Sequence, residues 1–133
     1  MDMGNVKSFE DLIAFQKARE LCKEIYAITN IAPFKNDYRF VQQIRAAAGS
    51  VMDNIAEGFE RDGNKEFVNF LYIAKGSCGE VKSQILRASD VGFVGTEKAK
   101  VLYQSCEEIG KLLYSLISSI KNSEMSGKKY RES

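Results

Sequence analysis

Apolar residues recur every three or four positions in four separate stretches of this chain, which is the spacing of one buried face of an α-helix. The four faces are Leu12, Phe15, Ala18, Cys22, Ile25 and Ile28; Phe40, Ile44, Ala47, Ala48, Val51 and Ile55; Phe67, Phe70, Leu71, Ala74, Cys78, Val81, Ile85 and Ala88; and Ala99, Leu102, Cys106, Ile109, Leu113, Leu116 and Ile120. The pattern predicts four helices and no strands.

Short polar segments separate the four stretches. Ser8 is the predicted start of helix one, and the polar pair at 36–37 is the predicted cap of helix two. Gly63 suits a left-handed turn, after which Asn64 is the predicted cap of helix three. Thr96 is the predicted cap of helix four. Because consecutive helices are joined by short connections, we expect an all-α, antiparallel up-down-up-down four-helix bundle.

The length of 133 residues and the 44% hydrophobic content fit one domain with its own core. The apolar pattern assigns residues 1–121 to a single four-helix-bundle domain and residues 122–133 to a flexible polar tail. The chain shows neither a signal-peptide pattern nor the run of about 20 apolar residues that spans a membrane. We therefore expect a cytoplasmic protein without a membrane partner.

Histidine is absent from the sequence, which removes the commonest general base and the imidazole ligands of zinc and di-iron sites. The three cysteines, Cys22, Cys78 and Cys106, have no metal-binding spacing and lie in apolar helical patterns, so we expect buried free thiols. These observations predict no catalytic residue, no cofactor, no metal site and no small-molecule substrate.

Polar residues cluster on one flank of the second and third helices, at about 100° per residue on a helical wheel. This polar seam consists of Gln43, Ser50, Asn54 and Glu57 in the second helix and Ser77, Glu80 and Gln84 in the third. One interpretation makes Glu57 and Glu80 a carboxylate pair for acid–base or metal chemistry. The other, which we favour, has the polar groups satisfy one another at a helix junction. The wheel leaves open whether that junction lies within one chain or between chains.

Small residues mark the outer sides of the same two helices, where a monomer usually carries long charged side chains. Glycine inside a helix sacrifices about 1 kcal/mol relative to alanine, so its presence favours close approach of another backbone. The predicted interface with other copies of the chain contains Ala46, Gly49, Ala56, Gly76, Gly79 and Ser83.

Three segments, QQIRAAAGSVMDNIAEG from residue 42, FLYIAKGSCGEV from residue 70 and FEDLIAFQKARELCKEIY from residue 9, resemble a bacterial four-helix-bundle family. This is the family of proteins encoded in 23S rRNA intervening sequences, also labelled S23 ribosomal protein. The resemblance covers roughly residues 9–120. It departs at Phe15, where tryptophan is frequent, and at Ala46, where a second arginine is common.

The resemblance implies a homo-oligomer, a pentameric ring, because this family is similar to the pentameric accessory proteins of diversity-generating retroelements. Those accessory proteins are associated with a reverse transcriptase and with nucleic acid. The first function that we consider is therefore a non-enzymatic assembly or adaptor for RNA, DNA or a reverse-transcriptase-like protein. Its candidate nucleic-acid contacts are Lys17, Arg19, Lys23, Arg39 and Arg45.

The second function is a structural or protein-interaction module without a nucleic-acid role. The net charge of +1, from 19 basic and 18 acidic residues, favours this alternative because it creates no general attraction to polyanions. A third and least favoured function is an enzyme that uses Glu57 and Glu80 in a shared pocket.

Overall fold

A computed structural model describes the backbone of residues 5–132 and the side chains of residues 5–123. Within that part of the chain the structure contains four α-helices, two short 3-10 turns and no strand. The helices are α1 (Ile13–Thr29), α2 (Tyr38–Glu60), α3 (Asn64–Asp90) and α4 (Thr96–Glu132), and the 3-10 turns are Phe9–Asp11 and Phe34–Asn36. The predicted all-α class and the number of helices are confirmed.

Each helix packs against two others, in the cyclic order α1, α2, α3, α4. An ion pair between Lys17 and Glu108 and another between Glu24 and Lys98 show that α1 and α4 run antiparallel, since the first number rises as the second falls. The contacts of α3 with α2, Ser77 to Ser50 and Arg87 to Gln43, and with α4, Lys82 to Tyr103 and Tyr72 to Lys121, show the same reversal. The topology is therefore the predicted up-down-up-down bundle.

The core is formed by the four apolar faces that the sequence defines. Of their residues, Cys22, Ile28 and Phe70 are half-buried and the rest are buried. At one end of the bundle the rings of Phe34, Phe40 and Phe93 close the core, with centroids 4.9 Å apart for Phe34 and Phe40 and 5.0 Å apart for Phe34 and Phe93. Aromatic pairs at such distances add to the stabilisation that burial provides.

The helix starts agree with the sequence at α2 and differ at the other helices. Asp37 precedes α2, and its carboxylate accepts a hydrogen bond from the backbone N–H of Phe40 at 3.1 Å. Asn64 and Thr96 were predicted as caps, but both are the first residues of their helices. Gly63, with φ of 93°, occupies the cap position of α3 instead. A short 3-10 turn follows Ser8, so α1 begins only at Ile13.

Helix α4 continues well past the end of the apolar pattern. Its backbone is helical to Glu132, so the segment from residue 122, predicted to be a flexible tail, has helical backbone over 122–132. The side chains from residue 124 onward lie outside the described residues, and the flexibility of the segment stays a prediction. None of the described helices is long and apolar enough to cross a lipid bilayer.

Candidate functional site: the groove between helices α2 and α3

A pair of hydroxyl groups joins α2 to α3 at the centre of the polar seam. The Oγ atoms of Ser50 and Ser77 lie 2.8 Å apart, a hydrogen bond between helices. One turn further along α2, the amide nitrogen of Asn54 donates to the carbonyl oxygen of Ser50 at 2.8 Å and to its Oγ at 2.9 Å. This part of the polar seam therefore lies within one chain and is satisfied there.

A groove of about 540 Å³, which we call the α2–α3 groove, continues from this hydroxyl pair towards the start of α2. Gln43 and Ser50 line it from α2, and Glu80, Ser83 and Gln84 line it from α3. Gln84 is 7% exposed, and its Oε1 is buried without a hydrogen-bond partner within the described residues. An unpartnered buried acceptor of this kind costs about 1–3 kcal/mol.

The two carboxylates of the polar seam do not share a cavity. Glu80 is exposed and lines the α2–α3 groove. Glu57 is exposed near the end of α2, where its Oε1 accepts a hydrogen bond from the guanidinium of Arg61 at 2.9 Å. The described residues hold no group of three acidic or cysteine side chains that could bind a metal ion.

The small residues of the predicted interface lie in different surroundings. At Gly76 and Gly79 a Cβ atom would have no described atom within 4 Å, and at Gly49 it would meet only the Asp53 carboxylate, at 3.9 Å. The part of the chain that the structure describes therefore supplies no close backbone neighbour that would explain these three glycines.

The other members divide between the surface and the interior. Ala46 and Ser83 are exposed and line the α2–α3 groove, one from each wall. Ala56, by contrast, is half-buried and packs against the core. Gly79 lines a different groove, between α3 and α4.

Gly58 is the glycine that close packing requires inside the chain, and the sequence reasoning did not single it out. A Cβ atom at this position would lie 2.6 Å from the Cβ of Phe70 and 3.2 Å from Cδ1 of Phe67. Because it has no side chain, Gly58 allows α2 and α3 to cross closely about two turns along α2 from Ser50. In the sequence, Phe67 and Phe70 near the start of the third helix indicate that a small residue has to lie opposite them.

Most of the candidate nucleic-acid contacts on the first two helices are engaged within the chain. Lys17 forms an ion pair with Glu108 at 3.0 Å, and Lys23 forms one with Glu20 at 3.2 Å. The guanidinium of Arg45 donates to the hydroxyl of Thr29 at 2.9 Å and lies 4.4 Å from the centroid of the Tyr26 ring. Arg19 and Arg39 are the two that remain exposed without an ion pair among the described residues. The structure does not bring the five residues together.

The cysteines are free thiols, as expected, and Cys78 and Cys106 are buried while Cys22 is half-buried. Burial raises the pKa of Cys78 to about 11, although Lys82 and Lys75 oppose the shift. Burial and the neighbouring thiol of Cys78 raise the pKa of Cys106 to about 12. Both thiols therefore stay protonated at neutral pH, which makes them poor nucleophiles.

The cyclic antiparallel packing of the four helices defines the class, an all-α four-helix-bundle protein. The chain belongs to the 23S rRNA-intervening sequence protein family, whose sequence model matches residues 10–115. This confirms the family that the three sequence segments indicated.

A solved structure supports the fold independently. The chain is similar to a protein of unknown function from the S23 ribosomal protein family of Bacteroides thetaiotaomicron, with a TM-score of 0.75 and 22% sequence identity. The similarity covers 82% of this chain and 98% of the other. No curated protein matches the chain. The similarity to accessory proteins of diversity-generating retroelements stays a prediction.

Proposed function

We propose that this protein is a non-enzymatic scaffold or adaptor that self-associates through the α2–α3 groove and the adjoining outer face of α3. The observation that carries the proposal is the open space at Gly76. A glycine at an exposed helix position weakens the helix, and nothing within the described chain packs against this one. A second copy of the chain would supply the close contact that makes the missing side chain useful.

Gln84 adds a polar reason for the same contact. Its unpartnered Oε1 belongs to a side chain that lines the α2–α3 groove. If the Gln84 side chain rotates slightly, its Oε1 can accept a hydrogen bond from a donor on a second copy of the chain. That bond would recover part of the stability that the unpartnered oxygen costs. Ala46 and Ser83 on the groove walls would allow a close approach.

The separation of Glu57 from Glu80 supports a function without catalysis. A two-carboxylate mechanism needs both groups at one reacting centre, whereas Glu57 is directed to Arg61 and only Glu80 lines the groove. We therefore propose binding and assembly as the activity, in the cytoplasm, with a pentameric ring as the copy number that the family resemblance implies. The adaptor would bind RNA, DNA or a reverse-transcriptase-like protein.

A structural or protein-interaction module without nucleic acid is the second candidate. The specific observation in its favour is that Lys17 and Lys23 are neutralised by Glu108 and Glu20 in the same chain. Paired lysines offer less attraction to a phosphate backbone than free ones, since counterion release depends on the phosphates that a protein neutralises.

Replacement of Gly76 by leucine tests the assembly. Because a side chain at this position meets open space, and leucine has a higher helix propensity than glycine, the variant should remain folded. We expect it to sediment at a lower mass than the wild-type protein, with unchanged helical content by circular dichroism.

The matched control is Ala27→Leu, which adds similar bulk at an exposed position of α1, away from the α2–α3 groove. This variant should sediment as the wild type does. The assignment of the interface would be wrong if Gly76→Leu and wild-type protein had the same concentration-dependent mass, and self-association itself would be wrong if both were monomers at all concentrations.

A further inference from the structure

A second groove, of about 640 Å³, lies on the other side of α3, between α3 and α4. We call it the α3–α4 groove. Gly79 on α3 and Gly110 on α4 line it without side chains, and a Cβ at either position would have no described atom within 4 Å. The thiols of Cys78 and Cys106 contribute to its lining beneath these glycines. The α3–α4 groove is therefore open to solvent along the surface between the two helices.

Three lysines line the α3–α4 groove, and none of them forms an ion pair with a described acidic side chain. Lys75 and Lys82 lie two turns apart on α3, and Lys111 lies opposite on α4. Among the described residues that line the groove, Glu107 is the one acidic side chain. In the part of the chain that the structure describes, none of the three lysines forms an ion pair, in contrast to Lys17, Lys23 and Lys98 on other surfaces.

Tyrosine rings lie among these ammonium groups. Tyr114 lines the groove and is 61% exposed, so most of its ring is in contact with solvent. The ammonium of Lys82 is 5.4 Å from the centroid of the Tyr103 ring, a cation–π contact between α3 and α4. Further along the α3–α4 junction, the ammonium of Lys121 donates to the hydroxyl of Tyr72 at 3.0 Å. The junction therefore presents a line of alternating positive charge and aromatic surface.

From this geometry we infer that the α3–α4 groove binds single-stranded nucleic acid. The lysine ammonium groups would contact successive phosphates, and the exposed ring of Tyr114 would stack on a base. The aromatic surface favours a nucleic-acid strand over an acidic peptide, because a carboxylate chain uses the charge but not the ring face. The inference rests on the proposed adaptor function and moves its nucleic-acid contacts from the first two helices to α3 and α4.

The test compares two triple variants that change the net charge equally. Lys75→Gln/Lys82→Gln/Lys111→Gln removes the charge of the groove, whereas Lys7→Gln/Lys35→Gln/Lys65→Gln removes three exposed charges elsewhere. Binding of a fluorescein-labelled, mixed-sequence RNA oligonucleotide is followed by fluorescence anisotropy over a series of salt concentrations. Thermal unfolding and sedimentation of the same samples report on fold and assembly.

We expect the groove variant to raise the dissociation constant at low salt by about tenfold or more and to flatten the plot of log K against log salt by about 2, near 0.7 for each lost phosphate contact. The control variant should change binding less than twofold. Equal effects of the two variants, or no RNA binding by the wild type at low salt, would overturn the inference. Self-association is measured separately by sedimentation, so its failure is distinguishable from a failure of RNA binding.

Variants of Tyr114 show whether the α3–α4 groove binds nucleic acid or an acidic peptide. Tyr114→Ala should weaken RNA binding by about fivefold or more with an unchanged salt slope, since stacking on one base is lost while the phosphate contacts remain. Tyr114→Phe keeps the ring and should bind as the wild type does. If Tyr114→Ala binds RNA normally and polyglutamate displaces the RNA at matched charge, the groove is an acidic-peptide site and the inference is wrong.

Discussion

At the scale of single residues, glycines of this bundle differ in what surrounds them. Gly58 is buried where α2 and α3 cross, and a Cβ atom there would lie 2.6 Å from the Cβ of Phe70, whereas Gly76 and Gly79 face open space. The first glycine is explained by packing within the chain. The other two weaken α3 without an internal benefit, which is why an external partner is the consistent explanation for them.

The substitution Gly58→Ala should lower the free energy of unfolding by about 1–3 kcal/mol, because a Cβ that close to Phe70 forces the two helices apart. Gly79→Ala is the matched control. It adds the same methyl group in open space and should stabilise the protein by about 0.5–1 kcal/mol through helix propensity. Urea unfolding of both variants measures the difference, and equal stabilities would show that α2 and α3 do not approach closely at Gly58.

The residue scale also shows which contacts a helical wheel can indicate. The wheel placed Ser50 and Ser77 on facing flanks, and their hydroxyls are hydrogen-bonded. Glu57 and Arg61 are four positions apart, the spacing at which side chains meet on a helix, so their ion pair could have been read from the sequence. By contrast, the wheel could not show that Lys17 would meet Glu108, since that pair depends on the register of α1 against α4.

At the scale of helices, the apolar faces were predictable because burial of one face is the dominant free-energy term and has a fixed period. Helix starts were less predictable, because several residue types compete for the cap position over two or three residues. Asp37 caps α2 through its carboxylate, whereas Gly63 takes the cap position of α3 that the sequence assigned to Asn64. In that loop the positive φ of Gly63 decides where the helix begins.

The cap of α2 should be measurable. Asp37→Ala removes the acceptor of the Phe40 N–H and should lower the free energy of unfolding by about 0.5–2 kcal/mol. Asn64→Ala changes a first helical residue whose side chain makes no capping bond, so its effect should stay within about 0.5 kcal/mol. Thermal unfolding compares the two, and a larger loss for Asn64→Ala would mean that the cap of α3 is wrongly assigned here.

At the scale of the whole molecule, the buried thiols make the free energy of unfolding depend on pH in the alkaline range. Cys78 and Cys106 have pKa values raised to about 11 and about 12 in the folded protein, against 9.0 for an unperturbed thiol. Above pH 9 the unfolded chain releases these protons while the folded protein keeps them. Ionisation therefore favours the unfolded state, and the thiol contribution to stability is lost as pH rises through the folded pKa values.

Accordingly, the free energy of unfolding should fall between pH 9 and pH 11, and part of that fall should come from the two thiols. The variant Cys78→Ala/Cys106→Ala should be less stable at neutral pH because of the cavities that it leaves, yet its stability should fall less steeply above pH 9. Denaturant unfolding at a series of pH values measures both slopes, and identical slopes would contradict burial as the cause of the raised pKa values.

Helix α3 forms one wall of each of the two grooves, with Glu80 and Ser83 on one side and Lys75 and Lys82 on the other. Under the two proposals, a neighbouring subunit and a nucleic-acid strand would contact opposite sides of this helix without competing. Every subunit added to an assembly would then bring one more unobstructed strand site. When the protein is titrated with an RNA oligonucleotide to saturation, the ratio of bound strands to protein chains should therefore be constant, whatever the number of copies in the assembly.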